Sequence, residues 1–258
     1  AVRGFVPARN DEERYLMRHI EDLARTASSR GIARYSGFLS DREQQLAQAA
    51  LNRTDMPEDE IRFDGGWPGA ERKLLCLEPV DSYPASPLCC VRLQCRALPG
   101  AQLPVHKDYL GSLMGLELRR EALGDIVLPE DQLGVAYVFA LEPAAELICQ
   151  ELRQAGHTDL TAEMQPLETL PAFPQAERPR QTATVSSLRL DAVLAAMLRC
   201  SRGMAAELVT AGRVEINHLP AESVHAPVYE DDVFTVRGKG RFQLTALPGK
   251  SKKDRLII

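Results

Sequence analysis

The sequence predicts an α+β fold built from consecutive modules, and three patterns carry that expectation. Leu190, Val193, Leu194 and Met197 fall at i, i+3, i+4 and i+7, the apolar face of a short helix, and strand-like runs follow them. Between Leu88 and Leu167 the runs succeed one another as strand, helix, strand, strand, helix, strand. Before residue 60, apolar residues recur at helical spacing in charged surroundings. The expected division is an N-terminal helical region at 1–60, an α+β domain at 61–170, a linker at 171–182 and a C-terminal module at 183–258.

In the first region Leu16, Ile20 and Leu23 make the seam of a helix docked by one face. Ser40-Asp-Arg-Glu43 has the form of a capping box, opening a second helix that runs towards Asn52. Pro57 and its acidic neighbours end the region. Phe63-Asp-Gly-Gly-Trp67 reads as a turn, with strand-like residues at 74–77 beyond it. Trp67 reads as a loop aromatic covering the edge of a core, with a base-stacking platform as the alternative.

The middle domain is expected to run as strand 88–95, helix 106–116, strands 124–128 and 134–140, helix 143–153 and strand 160–167. Pro143 suits the first turn of its helix, and Gly156 is expected just beyond the other end. This βαββαβ order is ferredoxin-like, the order of RNA-recognition modules too. Cys89, Val91, Leu93 and Cys95 alternate with Cys90, Arg92, Gln94 and Arg96, as in a strand with one buried face. Val135, Tyr137 and Phe139 share a face, which either stacks on bases or turns to the helices as core. His106-Lys107-Asp108 looks like a kinase triplet, but no other kinase motif accompanies it, and a helix start explains it better.

Prolines between 171 and 179 mark the linker. Beyond it, Ser187 is the expected N-cap of the first C-terminal helix, with Asp191 in its positive first turn. Ser201 caps a second helix that Gly212 ends. Strands follow at 214–216 and 233–236, with a turn at 218–220 between them. Arg237-Gly-Lys-Gly-Arg241 is a basic turn leading into a strand at 242–247. Lys250, Lys252, Lys253 and Arg255 form a basic tail ending in Leu256-Ile257-Ile258, read as a last strand.

Arg189-Leu190-Asp191, Ser201-Arg202 and the run from Ala211 to Asn217 closely resemble the S-four (alpha-L) RNA-binding domain. Upstream, Gly65-Gly66 with Ala70-Glu71-Arg72-Lys73, the run from His106 to Leu116, and Arg120-Glu121 with Gly124-Asp125-Ile126 resemble the YlmH family of bacterial proteins. That likeness extends over most of the chain. Gly203-Met204 departs from it, because relatives often carry a polar residue there. The resemblance implies that two helix tips and the following loop meet structured RNA, with Arg189, Ser201, Arg202, Arg213 and Asn217 as contacts. It also implies partners in rRNA and tRNA on the large ribosomal subunit, in quality control of subunits obstructed by peptidyl-tRNA. Elementary electrostatics agrees, since helix N–H groups and arginines favour phosphate oxygens. The same argument adds Arg237, Lys239 and Arg241 of the basic turn and Lys252 and Lys253 of the tail.

The net charge of −5 is unevenly spread. From Val185 onward 11 Lys and Arg face 8 Asp and Glu, a balance of +3 that leaves −8 for the rest. Six cysteines without a C-x-x-C pair read as reduced core thiols of a cytoplasmic protein and not as a zinc site. No window approaches a membrane span, and the start of the chain lacks an apolar signal core. The sequence offers no Gly-rich cofactor loop, nucleophile elbow or paired catalytic carboxylates. A non-catalytic RNA-binding protein is therefore expected, with no cofactor, metal, DNA or membrane partner. The rivals are an RNA-modifying enzyme of the pseudouridine synthase kind and a cell-division adaptor. The leading expectation depends on arginines at two helix tips being turned outward and left uncapped by the protein's own carboxylates.

Overall fold

A computed structural model describes residues 6–174, 179–245, 249–251 and 255–258, and it is a mixed α+β structure. The chain divides into two compact units, Ala8–Ala176 and one made chiefly of Glu177–Ile258. Among the described residues no helix is long and apolar enough to cross a membrane.

Asn10 opens α1 (Asp11–Arg30) by accepting the Glu13 N–H at 2.9 Å, and Gly31 closes it in the left-handed conformation. The buried stripe is Met17, Ile20, Ala24 and Ala27, with Leu16 and Leu23 half-buried beside it. Helix α2 (Asp41–Leu51) begins at the expected capping box: Ser40 Oγ accepts from Glu43 N, and the Glu43 carboxylate accepts from Ser40 N. Between the helices lies β1 (Arg34–Leu39), a strand in a stretch read as helical. It is held by pairing, not by local pattern: β1 lies antiparallel to β3 (Lys73–Leu77), whose other edge takes β2 (Ile61–Asp64).

The two helices are joined by a buried ion pair. Arg42, itself buried, donates to both carboxylate oxygens of Glu13 at 3.0 and 3.3 Å, and Arg9 adds backbone and side-chain bonds. Burial alone would raise the Glu13 pKa, but the hydrogen bonds and charges of Arg42 and Arg9 outweigh it and bring it down to about 2.

The expected ferredoxin-like order is present as β4 (Leu88–Cys95), α3 (His106–Met114), β5 (Leu123–Val127), β6 (Val135–Leu141), α4 (Glu142–Glu151) and β8 (Thr158–Gln165). A short β7 (Gln154–Ala155) is added at the edge, giving an antiparallel sheet of order β5-β6-β4-β8-β7. Gly156, expected to end α4, instead makes the β7–β8 turn at φ 59°. On one face Val91, Leu93, Ala136 and Val138 pack with Tyr109 and Leu113 of α3 and Ala145 and Ile148 of α4.

The other face corrects two expectations. Leu88, Cys90, Tyr137 and Phe139 are buried there with Phe38 of β1 and Leu74 and Cys76 of β3, so β4 is covered on both sides. The aromatic row of β6 neither waits for bases nor meets the helices, because the N-terminal strands contribute to the cluster that covers it. Phe173, in the stretch read as linker, lies edge-on to Trp67 at 5.6 Å and tilted against Tyr137 at 5.0 Å. Gly66 lets the turn before Trp67 lie directly on Phe139: its φ is 89°, and a Cβ there would sit 2.4 Å from the Phe139 ring.

In the second unit α5 (Leu190–Leu198) and α6 (Arg202–Thr210) precede a sheet of β10 (Val214–Ile216), β11 (Leu219–Pro220), β12 (Val233–Val236) and β13 (Gly240–Gln243), ordered β11-β10-β12-β13. The last of these is shorter than the strand expected at 242–247, part of which lies outside the described residues. A second sheet sets β15 (Leu256–Ile257) between β9 (Thr184–Val185) and β14 (Gly249–Lys250), so the end of the chain is indeed a strand. Leu190, Val193, Leu194, Ala205, Val214, Phe234 and Val236 form the core.

Replacing Glu13 by Gln should leave Arg42 buried without a counter-charge, at a cost of about 3–5 kcal/mol near neutrality. Because the folded pKa lies below the ordinary 4.5, the Glu13 contribution is complete above pH 4.5 and lost as pH falls towards 2. Urea unfolding at pH 7 and pH 3 checks both statements, and the variant should lose less stability between them than the parent.

Candidate nucleic-acid interface

The residues singled out in the C-terminal unit fall into two groups, and the first is organised by a carboxylate. Asp191, in the first turn of α5, has only 7% of its side chain exposed. It accepts from Nε and Nη2 of Arg189 at 3.2 and 3.1 Å, and from Nε and Nη2 of Arg202 at 3.2 and 2.7 Å. The two arginines come from different helix tips, and their side chains remain 41% and 50% exposed. The expectation of uncapped guanidiniums, the condition set for the RNA reading, therefore fails, and only the half-exposed outer edges of the two side chains are left for a ligand. Each is bound to an internal carboxylate, yet two positive charges share one negative charge and a net +1 faces solvent.

Magnitudes explain the arrangement. Two unit charges about 4 Å apart interact by about 4 kcal/mol at an effective dielectric near 20. Bare guanidiniums side by side would repel by that order, whereas a carboxylate between them supplies two attractions against one repulsion. Burial pushes the Asp191 pKa up, but hydrogen bonds from Arg202 and Arg189 and their charges more than reverse this and hold it below 3.8.

The tip of α5 differs from expectation in a second respect. Its N-cap residue is Arg189, not Ser187, and no side chain caps it. The N–H groups of Leu190 and Asp191 are instead taken by the carbonyls of Ala226 and Val224, while Val228 N–H donates to Leu188. These N–H groups are not open to phosphate. The same loop brings in His225, which the sequence did not single out: its Nδ1 accepts from Arg189 and lies 3.9 Å from the Asp191 carboxylate. Helix α6 keeps an open tip. Ser201 Oγ accepts from Met204 N, and the first-turn N–H groups of Arg202 and Gly203 find no acceptor among the described residues. A Cβ on Gly203 would come no nearer than 3.8 Å to Ser201 Oγ, so the approach is unobstructed.

The second group lies on the sheet. Arg237 N–H donates to the Arg213 carbonyl at 2.9 Å, placing these two exposed residues side by side, and exposed Lys239 follows in the β12–β13 turn. Arg241 contacts His218 through its guanidinium. Asn217 belongs to neither group. It is buried at φ 50°, donates to Asp232 at 2.9 Å and accepts from Val233 N at 3.0 Å, so it holds the turn after β10 and is no surface contact. Lys252 and Lys253 lie outside the described residues. Arg255, read as tail, donates to the Thr184 carbonyl.

Residues 188–234, which span both helix tips and the loop that caps α5, match the S4 domain family. Over 250 residues the chain is 33% identical to the ribosome-associated protein quality control protein P2 of Bacillus subtilis (strain 168), covering 96% of this chain and 93% of that one. The chain belongs to the YlmH family. Among solved structures, the cell division protein ylmH from Streptococcus pneumoniae is similar at a TM-score of 0.49 with 13% identity, over 65% of this chain and all of that one. Membership in the YlmH family thus rests on the near full-length sequence match, and the S4 match marks where the Asp191 cluster sits.

Asp191→Asn should loosen both arginines at once. Near neutral pH it should cost about 1–3 kcal/mol, the range for hydrogen bonds to a charged group, because the two arginines it releases are half-exposed and can be solvated. The Asp191 contribution is complete above pH 3.8 and is lost as pH falls through the lowered folded value, so the variant's acid limb should be shallower. Thermal melts followed by circular dichroism from pH 7 to pH 3 test this.

Proposed function

We propose that this protein is a non-catalytic RNA-binding factor that acts on the ribosome through its S4 domain. The observation that carries this reading is the Arg189–Asp191–Arg202 cluster, where a buried carboxylate holds two half-exposed guanidiniums beside the open tip of α6. Planar forks with fixed orientation suit phosphate oxygens, and free N–H groups at a helix start suit them as well. Arg213, Arg237 and Lys239 would add phosphate contacts that carry affinity without reading sequence.

The name of the Bacillus subtilis relative supports placing this activity in ribosome-associated quality control. Within it the finer reading is engagement of rRNA and tRNA on large subunits obstructed by peptidyl-tRNA. The rival readings, an RNA-modifying enzyme or a cell-division adaptor, find no comparable cluster among the residues described above.

Arg202→Glu should weaken binding to purified large subunits at least tenfold, while Arg189→Gln with Arg202→Gln should flatten the salt dependence. Each lost phosphate contact should remove about 0.7–0.9 from the slope of log K against log salt. Co-sedimentation over a potassium chloride series measures both, and unchanged binding by both variants would exclude this face.

A further inference from the structure

Two arginines of the N-terminal unit, far apart in sequence, converge on one carbonyl. Arg72 lies just before β3, and Arg120 opens the short 3-10 turn ahead of β5. Arg72 Nε donates to the Leu123 carbonyl at 3.0 Å, and Arg120 Nη1 donates to the same oxygen at 2.8 Å. Arg72 Nη2 also reaches the carbonyls of Phe38 at 3.3 Å and Arg120 at 3.1 Å. Among the described residues neither guanidinium has a carboxylate within salt-bridge distance.

Two carboxylate charges reach this pair without a hydrogen bond to either guanidinium, and both keep their charge because their donors are neutral N–H groups. Asp125 accepts from Trp67 Nε1, Glu71 N and Arg72 N, and Glu43 accepts from Ser40 N in its capping box. Burial pushes the pKa of both arginines down, and for Arg72 the neighbouring Arg120 charge adds to this.

Structure alone accounts for one arginine and not the other. Arg72 joins three main-chain segments through three carbonyls. Among the described residues Arg120 makes one such bond with its guanidinium, while setting a second positive charge against the first. A fold needing only a clasp would be better served by a neutral side chain there. The donors of Arg120 beyond its Leu123 bond, together with Nη1 of Arg72, suit the two free oxygens of a phosphodiester. The adjacent Arg119 is exposed, with only a loose 3.6 Å pairing to Glu121.

We propose that Arg72 and Arg120 form a second RNA phosphate contact, located on the N-terminal unit and separate from the S4 domain. The choice of RNA as ligand rests on the function proposed above. Arg72 also has a structural duty, so Arg120 is the residue to change.

The test uses the full chain and protein-free ribosomal RNA, with filter binding across a potassium chloride series. Arg120→Gln should lower affinity several-fold and reduce the log–log slope by about 0.7–0.9. Arg120→Lys, which keeps the charge, should keep the parent slope. A slope lost equally in the lysine variant would mean the effect comes through folding, and would overturn the proposal. A parent-like slope in Arg120→Gln, alongside a reduced one in Arg189→Gln with Arg202→Gln, would remove this contact and leave the S4 reading standing. Parent-like slopes in all variants would defeat both.

Discussion

The surface of the C-terminal unit depends on one shared carboxylate. Free arginine side chains carry about 2 kcal/mol of rotamer entropy, which any ligand must overcome to order them. Asp191 removes part of that cost beforehand, because both forks are already fixed when a ligand arrives. The loop at 221–228 completes the arrangement by taking the N–H groups of the α5 tip, which leaves α6 as the open helix end. Asp191 neutralises one charge and orients two. That combination separates a positioned cationic patch from a row of solvated surface arginines.

The N-terminal unit handles charge in two ways. Glu13 and Arg42 are buried together as a two-point pair that joins the helices. Arg72 and Arg120 are held by carbonyls, which order a guanidinium without cancelling its charge. The same unit shows how a familiar topology can lose its familiar surface. Its central sheet has the strand order of an RNA-recognition module, but the face that would stack on bases is packed by Phe38, Leu74, Cys76 and Phe173.

Local signals were legible in the sequence where the chain acts on its own neighbours. The capping box at Ser40, the cap at Ser201, the left-handed Gly212 and the βαββαβ order all follow from spacing within a few residues. What escaped depends on partners distant in the chain. β1 is a strand because β3 lies beside it, and α5 begins at Leu190 because the 224–226 segment meets its N–H groups. Asn217 looked like a contact because it closes a signature run, but its amide faces buried Asp232. Asp191 was visible between two arginines of that signature. Its spacing suggested a helix-dipole partner, and only the fold brings Arg202 to the same oxygen as Arg189.

The doubly covered β4 strand also bears on how the first unit can come apart. Peeling β1 from β3 would bare Phe139, Tyr137 and Cys90, which lie in the same cluster as Phe38 and Leu74. Opening at the other end, by releasing Phe173, would uncover Trp67 and Tyr137. The early strands and the later sheet therefore share a single cooperative fate. Trimming the early strands would leave Tyr137 and Phe139 of the later sheet without the apolar cover that Phe38 and Leu74 give them.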